Sequence, residues 1–162
     1  SIEEFLKSLN KESSNIIILD QLEDAQNVGA IFRSALGFSI DGIILTENQS
    51  VHENHFMAKT ACGGIDKVPF TSVSNLSSTL KILKENGYWV YGLDGNATKK
   101  ITDLDFAKKS AFIFGSESDG MRHLTKNSCD ETLKIEINNN LESLNVSNSA
   151  AVLFFYLNNN KN

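Results

Sequence analysis

The chain has 162 residues, with 15 Lys and Arg against 20 Asp and Glu, for a formal net charge of −5. Hydrophobic residues make up 41% and charged residues 22%, which excludes a disordered chain and allows one domain with a full core. The acidic balance excludes a simple basic module that grips nucleic acid by neutralising phosphates over its whole surface. No apolar run approaches the roughly 18 residues of a membrane span; the longest, Ala150 to Leu157, is too short. The N-terminal SIEEFLKSLN has acids where a signal peptide needs a basic start. Cys62 and Cys129 form neither a C-x-x-C pair nor a disulfide framework. Free thiols in a reducing compartment, the cytoplasm, are therefore expected. One proline, no repeat and no linker predict a single domain over residues 1–162.

In chain order, Ile16–Leu19 reads as a short buried strand ending at Asp20. Val28, Ile31, Phe32, Ala35 and Leu36 follow at helical spacing. Gly42–Thr46 is a second strand, His52–Thr60 a helix, and Lys67–Thr71 an extended piece around Pro69. Leu76, Leu80 and Leu83 mark a helix that stops near Asn86-Gly87, a C-cap signal. Tyr88–Leu93, Ala111–Gly115 and Leu133–Ile137 are further strands, and a final helix runs from about Asn145 to Asn158. Strands separated by helices predict an α/β fold with a mostly parallel sheet. In such sheets ligands bind beyond the C-terminal strand ends, here LDQLEDAQNVG, GLDGNA, GSESDG and INNNLESLN.

Several chemistries are absent from those loops. No G-x-G-x-x-G follows a strand, and the P-loop spacing of Gly115 and Gly120 continues with Met121-Arg122 instead of Lys and Ser/Thr. No G-x-S-x-G elbow is present, and His52, His55, His123 and the two cysteines show no metal-ligand spacing. Three segments remain. In NVGAIFR, Arg33 is one of only two arginines and lies on the flank of a helix, leaning back over Gly29. An ordinary surface arginine is the alternative. In AFIFGSESDGM, four apolar residues run into glycines that let backbone approach a ligand, with Glu117 just past the strand end; a plain polar turn is the alternative. In LESLNVSNSAA, Ser143 and Asn145 precede an apolar helix. Capping explains one such residue, but not the whole set with Ser147, Asn148 and Ser149.

In order and spacing, these segments resemble the three motifs of the SpoU family of RNA ribose 2′-O-methyltransferases, within the SPOUT superfamily. The matches are LDQLEDAQNVGAIFRSALGF, FIFGSESDGM and IEINNNLESLNVSNSAA. The intervening KTACGGIDKVPF, LKENGYWVYGLDG and MRHLTKNSCDETLKI are similar to the bacterial enzymes that methylate guanosine of large-subunit rRNA. The resemblance implies an α/β domain whose C-terminal part forms a trefoil knot, a homodimer, and S-adenosylmethionine as cofactor. It implies Gly95, Gly115, Ser116, Ile135, Ile137, Leu144 and Asn145 at the cofactor site. Asn27, Arg33, Glu117 and Asn145 match the polar residues of catalysis and site assembly. Many relatives also carry an N-terminal RNA-binding domain, of which this sequence shows nothing. Three residues depart from the family pattern: Ser118 replaces a usual Gly, and Ala25 and Glu136 each replace a usual Pro.

The implied reaction is displacement of a methyl group by a ribose 2′-oxygen of RNA, rRNA in preference to tRNA. The sulfonium already carries the charge of a good leaving group, so no metal is expected. The resemblance gives Arg33 the base role. An arginine that stays charged would instead hold a phosphate or stabilise the 2′-oxyanion. A module that binds RNA or assists ribosome assembly without catalysis is the alternative of another class. By segment, residues 1–24 carry six acids against two lysines, and the remainder is nearly neutral. Lys99, Lys100, Lys108, Lys109, Arg122 and Lys126 outnumber Asp103, Asp105, Glu117 and Asp119. That predicts a basic face near the strand-end loops, with Lys108, Lys109 and Arg122 joining Arg33 as RNA contacts.

Overall fold

A computed structural model describes residues 1–9, 12–46, 67–115 and 121–160. The helix expected at His52–Thr60 lies outside them. In chain order the elements are α1 (Ile2–Leu9), β1 (Ser14–Leu19), α2 (Ala25–Gly37), β2 (Gly42–Thr46), β3 (Phe70–Val73) and α3 (Leu76–Glu85), followed by β4 (Trp89–Leu93), β5 (Lys99–Lys100), β6 (Lys109–Phe114), α4 (His123–Ser128), β7 (Glu131–Lys134) and α5 (Val146–Asn159). Among the described residues, seven strands form one sheet in the order β3-β2-β1-β6-β4-β7-β5. Every pairing is parallel, so the strands all end at the same edge. None of the described helices is long and apolar enough to cross a membrane.

The apolar runs of β1 and β6 are continuous because both faces of the sheet are covered. Successive side chains alternate between the faces. Ile17, Leu19, Phe112 and Phe114 meet Val28, Ile31, Phe32 and Ala35 of α2 and Ala150, Leu153 and Phe154 of α5. Ile16, Ile18, Ala111 and Ile113 meet Phe5, Leu6 and Leu9 of α1 and Leu76, Leu80 and Leu83 of α3. Tyr91 is stacked on Phe112 with ring centroids 5.1 Å apart, and Phe106 meets both rings edge-on.

Local chemistry sets the boundaries. Asp24 caps α2 by accepting from the Gln26 and Asn27 amides at 2.8 and 3.4 Å. Asn75 caps α3 through the Ser78 amide at 3.0 Å, and the chain leaves α3 through Gly87 at φ +88°, a left-handed conformation that suits glycine. Two strands are displaced from their expected spans. Pro69 has no N–H to give the ladder, so β3 begins after it, while the Pro69 carbonyl accepts from Ile43 at 2.9 Å. β7 starts earlier, at Glu131, where it pairs with Tyr91 of β4. Past Lys134 the chain has left the ladder.

α1 was not expected from the sequence, yet Phe5 is only 8% exposed. A Cβ on Gly42 would stand 2.8 Å from the Phe5 ring, so α1 is seated directly on β2. Phe5→Ala is expected to cost about 3 kcal/mol of stability, read by urea unfolding. A loss below about 1 kcal/mol would show that α1 is not part of the core.

Candidate active site

At the C-terminal edge of the sheet, the ends of β4, β6 and β7 and the segment before α5 enclose a cleft of about 440 Å³, within the range of small-molecule sites. Its walls are Leu93, Asp94 and Gly95 after β4, Phe114 and Gly115 after β6, and Leu133, Lys134, Ile135 and Ile137 around and beyond β7. Met121 and residues 142–146 with Ser149 complete it. Six of the residues expected at a cofactor site, Gly95, Gly115, Ile135, Ile137, Leu144 and Asn145, thus line one cavity. Ser116 and Glu117, and the departure at Ser118, lie outside the described residues.

Gly95 belongs to a turn in which Ala97 donates to the Asp94 carbonyl at 3.0 Å and Asn96 to the Asp94 carboxylate at 2.9 Å. A Cβ on Gly95 would meet nothing within 4 Å, so the missing side chain leaves open space beside the cleft. Burial raises the Asp94 carboxyl, but the Asn96 amide and Lys126, 3.0 Å away, outweigh it and hold the group below its ordinary value of 3.8. Beneath the cleft a Cβ on Gly92 would stand 2.5 Å from Met121 Cε and 2.8 Å from Cys129 Sγ. β4 therefore needs glycine there for the two sulfur side chains to lie against it. Burial pushes the Cys129 thiol up to about 11, so at neutral pH it is a packing group and not a nucleophile.

The first and third motifs meet at the cleft. Asn145 Nδ2 donates to Asn27 Oδ1 at 3.1 Å across 118 residues of sequence. Asn145 Oδ1 accepts from the Ser147 amide at 2.8 Å, so the capping role weighed from sequence is real and coexists with a tertiary one. Arg33 is exposed on α2, six residues beyond Asn27, or roughly 9 Å along the helix. Ala25, in place of a usual Pro, is the first residue of α2, and the Asp24 cap is intact without it. Glu136, in place of another, pairs with Lys100 at 2.6 Å.

The expected basic face is not one face. Lys99 pairs with Glu131 at 2.5 Å, Lys100 with Glu136 and Lys126 with Asp94. Arg122 reaches the buried Asp20 at 3.2 Å. Lys109 donates to the Asn86 carbonyl at 2.6 Å and lies 4.8 Å above the Tyr88 ring. Lys108 and Lys109 stand at the opening of β6, roughly 20 Å of strand away from Gly115. A residue count along the chain missed these carboxylate partners because they come from other elements. Also unforeseen in the cleft are Leu93, Asp94, Met121, Lys134 and Glu142. Asp94 and Glu142 carried a signal, being carboxylates in strand-end segments. Among the described residues, no three His, Cys, Asp or Glu side chains group as a metal site would require.

The sequence profile of the SpoU rRNA Methylase family matches residues 14–155. The 23S rRNA (guanosine-2′-O-)-methyltransferase RlmB of Xylella fastidiosa is 37% identical over 140 residues, which are 86% of this chain and 56% of that protein. A Staphylococcus aureus protein assigned to the TrmH family of tRNA/rRNA methyltransferases is 36% identical over 155 residues, 94% of this chain and 62% of its own. The chain thus spans somewhat more than half the length of these relatives. The SpoU methyltransferase AviRb of Streptomyces viridochromogenes, solved in complex with AdoMet, superposes with a TM-score of 0.85 at 19% identity, covering 95% of this chain and 60% of that one. That likeness shows the shared fold.

Asp94→Asn keeps the acceptor for the Asn96 amide and removes the charge. Because the folded carboxyl lies below 3.8, its ionisation stabilises the fold fully above that pH and ceases to do so as pH falls through the folded value. Wild type is expected to exceed Asp94→Asn by about 1 kcal/mol at pH 7, in urea titrations, with the gap closing below pH 3.8. A gap independent of pH would show that the charge on Asp94 does not hold the turn.

Proposed function

The chain belongs to the SpoU rRNA methylase family, and we propose on that footing that it transfers a methyl group from S-adenosylmethionine to a ribose 2′-hydroxyl of RNA, a guanosine of 23S rRNA. The observation that carries this is the meeting of the motifs. Six family-implied residues line one cleft, and Asn27 and Asn145 are hydrogen-bonded beside it. The guanosine assignment draws on the 37% identity to an enzyme of that name. tRNA is the second reading, supported by the S. aureus relative whose description covers both substrates. The reading includes action in the cytoplasm by a single catalytic domain, and the family's trefoil knot in the C-terminal part.

The cleft fits the cofactor. Its apolar walls, among them Leu93, Phe114, Leu133 and Ile135, suit an adenosyl group, and Asp94, Ser143 and Asn145 offer polar partners. Open space at Gly95 lets backbone come close. When bound, S-adenosylmethionine supplies a methyl group on a sulfonium, already activated for displacement. Asn145 keeps the floor of the cleft in register with α2 through Asn27. Gly115, Ile137 and Leu144 complete the cofactor walls, and the family pattern assigns Ser116 to the cofactor and Glu117, with Asn27, to orienting Arg33. Arg33 acts as a fixed cation on the RNA side, stabilising charge that develops on the 2′-oxygen as its proton passes to solvent water.

The protein works as a homodimer through α2 and α5. These helices expose Leu36, Val152 and Phe155 at 38%, 42% and 53%, and Phe38 meets Phe155 edge-on at 5.8 Å. Such clustered apolar exposure fits an interface core better than a solvated face. Leu36 stands one turn from Arg33, so the seam passes beside the proposed reaction centre.

Ribosome-free rRNA and total tRNA incubated with methyl-labelled cofactor are expected to show label in 23S rRNA; label confined to tRNA would favour the second reading. Calorimetric titration with S-adenosylmethionine is expected to give heat of binding, and its absence would point to a non-catalytic module. Arg33→Ala should abolish turnover, a loss of at least about a hundredfold, with cofactor affinity kept. Affinity falling in step would remove Arg33 from the RNA side. By light scattering the protein should be a dimer and Phe155→Glu a folded monomer; a Phe155→Glu dimer would place the interface elsewhere.

A further inference from the structure

Asp20 ends β1, and its side chain is 4% exposed, against 54% for its partner Arg122. Arg122 Nη2 lies 3.2 Å from Oδ1 and 3.3 Å from Oδ2. Among the described residues this nitrogen is the only donor to the Asp20 carboxylate. An ionised carboxylate out of water depends heavily on its partner, so the guanidinium is held in place at Nη2. The guanidinium carries five N–H groups in a rigid fork. Its Nε and Nη1 have no partner among the described residues.

A half-exposed arginine pinned at one nitrogen is a ready-made receptor for an oxyanion. Its Nε–H and Nη1–H groups remain to donate, and the side chain is already ordered before the anion arrives. We propose that Arg122 receives a phosphate of the RNA substrate at the rim of the cleft, and that Asp20 is the positioning residue that aims it. This rests on the RNA methyl-transfer reading. Two sources of an oxyanion meet here, the RNA backbone and the carboxylate of the cofactor. Position favours the first: Met121 lines the cleft and Arg122, its neighbour, does not. With Asp20 the pair adds little net charge at long range, and the guanidinium acts on the phosphate at contact, where it displaces a counterion. That suits a chain of net charge −5.

The test measures steady-state methylation of RNA, its salt dependence, and calorimetric binding of S-adenosylmethionine alone, in the full chain. Arg122→Ala is expected to raise KM for RNA about tenfold, with the loss carried by KM more than kcat. It should reduce the slope of log affinity against log salt by about one and leave cofactor Kd within about twofold. Arg122→Lys should recover less than half of the RNA loss, because an ammonium cannot hold Asp20 and a phosphate in fixed directions together. Since Arg122→Ala strands a buried carboxylate, Asp20→Asn/Arg122→Ala is the folding control. It should unfold like wild type and keep the RNA defect. An Arg122→Ala protein with unchanged KM for RNA and unchanged salt slope would overturn the inference. So would a fall in cofactor affinity equal to the fall in activity, which would assign the anion to the cofactor. A wild type that methylates no RNA would sink the methyl-transfer reading by itself; RNA affinity across the same salt series would still judge Arg122, and its indifference to Arg122→Ala would sink the inference as well.

Discussion

The parallel pairing of β1 on both of its edges is the constraint from which the rest of the molecule follows. β2 matches Ile16 through Leu19 on one side, and β6 matches Ser14 through Leu19 on the other. Four residues of β1, Ile16 to Leu19, are at most 1% exposed. Neither side chains nor backbone of this strand can be satisfied by water, so register and direction are fully specified. Parallel direction then forces the ends of β1, β2 and β6 to emerge together. The exit is hydrogen-bonded as tightly as the strand: Asp20 donates to Phe114 at 2.9 Å and Gln21 to the Thr46 hydroxyl at 2.9 Å. Gln21 itself takes φ 59°, a left-handed turn uncommon for a residue with a side chain. The chain makes that turn directly beside the ion pair of Asp20.

What gathers at this edge is mostly backbone and apolar surface. The cleft owes its shape to Gly95, to Gly115 and to the departure of the chain from β7 after Lys134. Two of the carboxylates nearby are already committed to cations, Asp94 to Lys126 and Glu136 to Lys100. Such a site selects by fit and direction instead of by net field, which would reconcile an acidic chain with the RNA substrate proposed above.

Much of this was legible in the residue pattern. The apolar runs of β1, β2 and β6, the helical spacing of α2 and α3, and the stop at Asn86-Gly87 all correspond to observed elements. Local chemistry decides such features, so a linear reading finds them. The first and third motif segments, and the described start of the second, sit on strand ends and helix starts as expected. Features that depend on a distant partner were not visible. α1 is held by β2 and α3 rather than by its own propensity. Lys99, Lys100 and Lys126 looked like free cations until folding supplied Glu131, Glu136 and Asp94. Arg122 was expected as an RNA contact, but its partner Asp20, 102 residues earlier, was not visible in the pattern. Lys108 and Lys109 are near the strand-end loops in sequence terms but open the strand that leads there.

The central place of β1 has a cost that falls on synthesis. Its first neighbour, β2, follows within about thirty residues, whereas Ser14 meets Lys109 only after 95 more residues have been made. At about 5–20 residues per second, the strand spends roughly 5–20 s with its second edge open. An apolar run of Ile16-Ile17-Ile18-Leu19 with unpaired amides on one side is a template for pairing with the wrong chain. Asn145, the partner of Asn27, and then α5, which closes the core, are made later still. Nascent chains on neighbouring ribosomes therefore expose this edge before they have any site, and the yield of folded protein depends on keeping those edges apart, by chaperone or by dilution, for that interval.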